Sequence, residues 1–230
     1  MTLSQSHYQA NRFDLLSRLA GDISHEIKNP LHAMVINLEL VRRKVDKGES
    51  AQALDRVAIV EEEIRKVHAL ANGLLEALRP PRDSQTTCAF DAVLTELAPL
   101  IDARARCARV ELELDAAAAI TLPLAAHELR LLLLNLADRG VRAAGTDGRI
   151  ALHARAASDR LRLDLLSHAA AVDAAEERWL AGSTDDDDTT DLGLRVVRDL
   201  IERSGGHISA DRADDGRHRL SIVLPGTASA

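Results

Sequence analysis

Two consecutive stretches at the start of the chain, residues 10–46 and 50–78, repeat apolar side chains at steps of three and four. This period predicts two amphipathic α-helices, the first about 50 Å long at roughly 1.5 Å per residue. The turn-forming residues between them, Asp-Lys-Gly-Glu-Ser, predict an antiparallel hairpin. Two helices alone cannot bury their apolar stripes, so we expect two copies of the hairpin to pair in a four-helix bundle. The sequence therefore predicts a homodimer.

A proline-containing segment at residues 79–84 ends the second helix and predicts a domain linker. Beyond it, helical and strand-like patterns alternate, which is typical of a sheet covered by helices. We therefore predict an α+β protein with a helical hairpin domain over residues 1–80 and an α/β sandwich over residues 87–226. Aromatic residues make up only 2% of the chain, so aliphatic side chains must fill the core.

The formal net charge of −7 argues against a nucleic-acid binder, because such proteins present a basic face. No apolar run is long enough to span a bilayer, and the first residues do not have the pattern of a signal peptide. We therefore expect a cytoplasmic protein that binds neither nucleic acid nor membrane. The two cysteines, Cys88 and Cys107, do not have the spacing of metal ligands, and the sequence predicts no metal site.

One segment of the first helix, LAGDISHEIKNPL at residues 19–31, has the residue types of a phosphotransfer site. His25 lies off the apolar stripe, so its imidazole can face solvent and act as a nucleophile at neutral pH. Glu26 can orient the imidazole or accept its proton. Asn29 lies one turn further along the same face and could position a water molecule or a partner's phosphoryl group.

This segment resembles the phosphoacceptor box of two-component histidine kinases, in which the pattern HE-x-x-NP follows small and hydrophobic residues. The resemblance implies that His25 is the phosphorylation site. It also implies that Glu26 and Asn29 assist kinase and phosphatase chemistry. The order of elements after the hairpin resembles the family's ATP-binding α/β sandwich, so the resemblance extends over nearly the whole chain.

The nucleotide motifs of that family are altered here. In the pattern N-L-x-x-N-A, Asn135 is present, but Arg139 replaces the asparagine that holds magnesium, and a guanidinium has only donors. Ser167 stands where the family has the aspartate that contacts adenine. Asp191 stands in the glycine-rich phosphate loop and is expected to cap the next helix with its own carboxylate. Four preceding aspartates, residues 185–188, add negative charge.

These changes favour a histidine phosphotransferase with a degenerate kinase-type domain. His25 would then exchange phosphoryl groups with aspartates of response-regulator receiver domains, including that of a hybrid kinase, without ATP or another bound cofactor. The receiver would supply Mg²⁺. The alternative is an active sensor histidine kinase core that phosphorylates His25 from ATP. A third hypothesis, an interaction scaffold without phosphoryl chemistry, is disfavoured by the intact His25 motif.

Overall fold

A computed structural model of the protein describes residues 3–80, 86–116, 119–157, 159–167 and 191–228. The first two helices form the hairpin that the periodicity predicts, and Lys47 and Gly48 make the turn between them. Gly48 has a φ of +73°, a conformation that costs little without a Cβ. The described helices are α1 (Gln5–Asp46), α2 (Ser50–Leu78), α3 (Phe90–Cys107), α4 (Ala126–Ala144) and α5 (Leu192–Arg203).

Among the described strands, five form one sheet in the order β2-β4-β5-β7-β6. The β2–β4 pair is parallel and the other pairs are antiparallel. The strands of this sheet are β2 (Glu111–Asp115), β4 (Arg149–Ala157), β5 (Arg160–Ser167), β6 (His207–Arg212) and β7 (His218–Pro225). The predicted fold class, a helical hairpin followed by an α/β sandwich, is confirmed.

A second small sheet was not predicted from the sequence. It consists of β1 (Cys88–Ala89), β3 (Ile120–Leu122) and β8 (Thr227–Ala228), in the order β1-β3-β8. Strands of two or three residues are too short to produce a recognisable alternation of polar and apolar side chains. Their pairing depends on segments that are far apart in the sequence.

The hydrophobic core lies between the main sheet and helices α3, α4 and α5, and it is almost entirely aliphatic, with Phe90 as its buried aromatic side chain. The first half of α1 belongs to the same core, because Leu15, Leu19 and Ile23 are fully buried in it. α1 begins at Gln5, earlier than predicted, and contacts both the hairpin and the second domain. The predicted domain limits remain a prediction, since α1 is shared between the two parts.

A reciprocal pair of buried amides joins α1 to α4. The Asn11 amide nitrogen donates to Asn135 Oδ1 at 3.0 Å, and the Asn135 nitrogen donates to Asn11 Oδ1 at 2.9 Å. Asn135 also donates to the Leu131 carbonyl at 2.8 Å. Buried amides need such partners because an unpaired polar group in a protein interior is costly. The pair therefore fixes the first turns of α1 on the second domain.

We predict that Asn11→Ala lowers the free energy of unfolding by about 1–3 kcal/mol, because it leaves the buried Asn135 amide without its partner. Urea denaturation followed by circular dichroism measures the change. The control is Asn72→Ala on α2, where the asparagine is exposed and its loss should change stability by about 0.5 kcal/mol or less. Equal stability of the two variants would contradict the structural role of Asn11.

Candidate phosphotransfer site

His25 lies on α1 between two apolar residues, Ile23 and Ile27. Ile23 is buried in the core, whereas the His25 side chain is 70% exposed. Helical geometry separates the two faces, because Ile23 and Ile27 recur one turn apart while His25 lies between them. The predicted exposure of the imidazole is confirmed, and a partner protein can reach its ring nitrogens.

Glu26 points the other way, toward α3, and its side chain is only 12% exposed. One carboxylate oxygen, Oε2, accepts a hydrogen bond from Arg106 Nε at 2.9 Å. The other oxygen, Oε1, lies 3.8 Å from His25 Nδ1. This separation is longer than a hydrogen bond, so a small rotation of the exposed imidazole is needed before Glu26 can accept its proton.

Cys107, the last residue of α3, lies against the same carboxylate. Its thiol is 3.8 Å from Glu26 Oε1 and donates to the Asp22 carbonyl oxygen at 3.5 Å. Burial, together with the negative charges of Asp22 and Glu26, raises the pKa of the Cys107 thiol to about 11. Neither Arg106 nor Cys107 was identified from the sequence, because Cys107 and Glu26 are 81 positions apart and no local motif links them.

Asn29 is exposed on α1 and lies one turn after His25, as the sequence predicts. In this position the Asn29 amide is accessible to a water molecule or a partner protein that approaches the imidazole. Its assisting role stays a prediction, as do those of His25 and Glu26.

The second group of predicted residues lies where α4 meets the start of α5. Asp191 is the N-cap residue of α5, and its Oδ1 accepts a hydrogen bond from the Gly193 amide at 2.9 Å. Its other carboxylate oxygen forms an ion pair with Arg142. Burial alone would raise the pKa of Asp191, but Arg142, the Gly193 amide and Arg139 outweigh it and hold the pKa below its ordinary value. The expected carboxylate cap is present.

Arg139 is half-buried on α4, close enough to Asp191 for their charges to interact. Burial lowers the pKa of Arg139, and the Asp191 charge opposes this shift. Ser167 is buried at the end of β5. Ala169 and Ala171, which by resemblance stand at the two glycines of the family's D-x-G-x-G motif, and the four aspartates 185–188 lie outside the described residues.

Gly193 is tightly enclosed at this position. A Cβ atom added to it would lie 2.5 Å from Asn135 Oδ1 and 3.4 Å from the Asn11 amide nitrogen. Asn11, Asn135, Asp191 and Gly193 therefore meet at one point, and α1 covers the junction between α4 and α5. Asn11 and Arg142 were missed in the sequence because each forms its contact with a distant residue.

A buried carboxylate connects the two groups of residues. Asp138 on α4 has an exposed side-chain fraction of 2% and contacts three guanidinium groups. The distances are 3.2 Å to Arg18 on α1, 3.0 Å to Arg104 on α3 and 3.1 Å to Arg142. Since Arg142 also pairs with Asp191, charged contacts run from α1 through α4 to the start of α5.

Comparisons with known proteins agree with this geometry. Residues 15–81 match the family model of the His Kinase A (phospho-acceptor) domain. Sporulation kinase D of Bacillus subtilis (strain 168) is 22% identical over 99% of this chain and 45% of its own length. The sensor histidine kinase ZraS of Klebsiella oxytoca is 25% identical over 97% of this chain and 49% of its own length. The chain thus spans about half the length of these relatives.

The second domain also has solved counterparts. The catalytic domain of histidine kinase ThkA aligns with a TM-score of 0.53 at 17% identity, over 62% of this chain and 95% of that one. At this identity the likeness establishes the fold alone. The matched phospho-acceptor family over residues 15–81, followed by a fold like that of a histidine kinase catalytic domain, supports the core of a two-component histidine kinase.

In the described part of the chain, no helix combines the length and the apolar character needed to cross a bilayer.

We predict that Asp191→Asn lowers the free energy of unfolding by about 1 kcal/mol at pH 7, since asparagine keeps the cap but loses the partly exposed ion pair. The pKa of Asp191 is depressed in the folded protein. Its stabilisation is therefore fully present above the unfolded pKa of about 3.9 and is lost as the pH falls through the folded value.

Urea denaturation of both proteins between pH 7 and pH 3 measures this effect. The difference should persist down to about pH 5 and then diminish progressively as the pH falls below the unfolded pKa of about 3.9. Asp159→Asn, at an exposed position, should match the unsubstituted protein at every pH. A difference for Asp191→Asn that does not change with pH would show that the charge is not responsible.

Proposed function

We propose that the chain is a phosphotransfer protein of a two-component system in which His25 accepts and donates the phosphoryl group. The observation that carries this proposal is the 70% exposed imidazole within the segment that matches the phospho-acceptor family. A lone pair on a ring nitrogen attacks the phosphorus of an aspartyl phosphate. The N–P bond forms as the P–O bond breaks, and the aspartate leaves as a carboxylate. Donation to a second receiver reverses these steps.

Glu26 assists this step by stabilising the positive charge that develops on the imidazole. If a partner's phosphoryl group approaches Nε2, the Nδ1–H group faces the Glu26 carboxylate, which Arg106 holds in place. When the carboxylate accepts a hydrogen bond from Nδ1–H, Nε2 becomes a better nucleophile. Asn29, exposed one turn away, would contact the incoming phosphoryl group or its water.

We further propose that the phosphoryl group comes from a receiver domain and not from ATP. At the start of α5, the Asp191 carboxylate already accepts a hydrogen bond from the Gly193 amide, which would otherwise be available to phosphate. Asn135 is engaged by Asn11, and Arg139 cannot ligate magnesium. On this proposal the receiver supplies the Mg²⁺ that the transfer requires, and the second domain is a docking surface for receivers, including that of a hybrid kinase.

The second candidate is an ATP-dependent sensor histidine kinase core. The relatives favour this candidate over the first, because the proteins matched over nearly the whole chain are named as a sporulation kinase and sensor histidine kinases. Arg139 also offers a way to bind phosphate directly, since a guanidinium forms paired hydrogen bonds to phosphate oxygens. The two candidates differ in a single measurable property, the source of the phosphoryl group.

We predict that a panel of receiver domains, phosphorylated with acetyl phosphate and Mg²⁺, contains donors that label His25, whereas ATP with Mg²⁺ does not label it. Phos-tag electrophoresis and acid lability of the label report phosphohistidine. His25→Gln should accept no label. His32→Gln, which changes another exposed histidine of α1, should behave like the unsubstituted protein.

The outcomes separate the candidates. Labelling of His25 by ATP, or a calorimetric dissociation constant for Mg²⁺–ATP below about 100 µM, would establish the kinase and reject the receiver as the source. Acid-labile label on His25→Gln would place the acceptor elsewhere. Labelling by neither source would contradict both candidates.

We also propose that the chain is a homodimer held together by the hairpin. Large apolar side chains remain exposed on both helices of the single chain, which indicates an interaction surface. They include Leu31, Val35, Ile36, Leu38, Val45, Leu54, Ile59 and Ile64. Pairing two hairpins in a four-helix bundle buries them.

We predict that light scattering at micromolar concentration gives the mass of a dimer and that Leu38→Glu gives a monomer. Leu38 is 49% exposed in the single chain, so the substitution is compatible with the fold but would bury a charge in the bundle. Leu114→Glu, at an exposed position of β2, should leave the dimer intact. A monomeric unsubstituted protein would contradict the bundle.

A further inference from the structure

Three side chains with metal-binding atoms converge beside the proposed acceptor histidine. The ligand atoms of His25, Glu26 and Cys107 all lie within 4.8 Å of one another. Two of the separations are 3.8 Å, from Glu26 Oε1 to His25 Nδ1 and from the same oxygen to Cys107 Sγ. The cluster brings together the end of α3 and the middle of α1, so the sequence alone predicts no metal site here.

We propose that this cluster is an inhibitory zinc site that competes with phosphorylation of His25. The donor set is one imidazole nitrogen, one carboxylate oxygen and one sulfur, which is typical of Zn²⁺ and unlike the oxygen ligands of Mg²⁺ or Ca²⁺. In a tetrahedral zinc site, bonds of about 2.0–2.3 Å place neighbouring ligand atoms about 3.5 Å apart. The two separations of 3.8 Å are already close to this value.

The surroundings hold two of the three ligands in position. Arg106 fixes the Glu26 carboxylate through Oε2 and leaves Oε1 directed at the cluster. The Asp22 carbonyl oxygen accepts a hydrogen bond from the Cys107 thiol and holds it beside Glu26. When the metal binds, the thiol releases its proton and becomes a thiolate. His25 is exposed and can rotate toward the ion, and solvent fills the fourth coordination position. The nearby Arg106 charge opposes the cation, so we expect micromolar and reversible binding.

Competition follows from the chemistry of the imidazole ring, and this step rests on the proposed role of His25. Neutral imidazole has one nitrogen with a lone pair and one with a proton. When Zn²⁺ takes the lone pair of Nδ1, the proton stays on Nε2, which can no longer attack phosphorus. Attack by Nε2 requires the tautomer with its proton on Nδ1, so Zn²⁺ must leave Nδ1 and the proton must move there before the N–P bond can form. Zinc therefore keeps His25 unphosphorylated while it is bound.

Binding is measured without reference to phosphoryl transfer. The full chain, kept reduced with a phosphine, is titrated with Zn²⁺ in a calorimeter and with Co²⁺ in a spectrophotometer, where a thiolate-to-cobalt charge-transfer band reports sulfur ligation. We expect one site per chain. Cys107→Ser should remove the band and weaken zinc binding by about tenfold or more, and His25→Gln should weaken it similarly. Cys88→Ser, in β1, is the matched control and should bind as the unsubstituted protein does.

Competition is measured by phosphoryl transfer from an acetyl-phosphate-treated receiver, at constant Mg²⁺, with increasing Zn²⁺. Inhibition in the unsubstituted protein and in Cys88→Ser, but not in Cys107→Ser, is the expected result. Equal inhibition in Cys107→Ser would locate the zinc effect on the receiver and overturn the competition. Zinc affinity that Cys107→Ser does not change would overturn the site itself. If no receiver labels His25 but zinc binds as expected, the proposed function fails while the metal site stands.

Discussion

The carboxylate of Asp138 is the charge on which the arrangement of the helices depends. An ionised carboxylate buried to this extent is unfavourable unless cations and hydrogen bonds compensate it, and here Arg18, Arg104 and Arg142 do so. These arginines belong to α1, α3 and α4, so the three helices must stay in one relative arrangement to keep the charge compensated. The buried leucines of α1 add apolar contact to the same interface.

This arrangement determines the surroundings of His25, the proposed acceptor. Because α1 is fixed against α3, the end of α3 lies beside His25, and Arg106 and Cys107 reach Glu26. An isolated hairpin would present the same imidazole to solvent without these neighbours. The second domain therefore contributes to the proposed acceptor site directly, through Arg106, which orients Glu26, and through the Cys107 thiol close to the His25 ring.

The same interface occupies the positions that resemble the family's nucleotide motifs. Asn135 binds Asn11, Asp191 caps α5 and pairs with Arg142, and Gly193 is enclosed by both asparagines. Opening this region to a phosphate would require breaking buried hydrogen bonds and separating paired charges. The described fold is thus like that of a histidine kinase catalytic domain, while its polar contacts at these positions hold α1.

The sequence by itself determined the elements and the chemistry that a local pattern can express. The apolar period defined the hairpin, and Asp191 before an apolar helix indicated a cap. The HE-x-x-NP string indicated His25, Glu26 and Asn29 as candidate site residues, and their roles stay a prediction. The small sheet, the Asn11–Asn135 pair, the three arginines around Asp138 and the cluster of His25, Glu26 and Cys107 were decided by the tertiary structure. Each joins residues that are far apart along the chain, and such contacts depend on how the buried surfaces pack, a property that no local spacing of residues encodes.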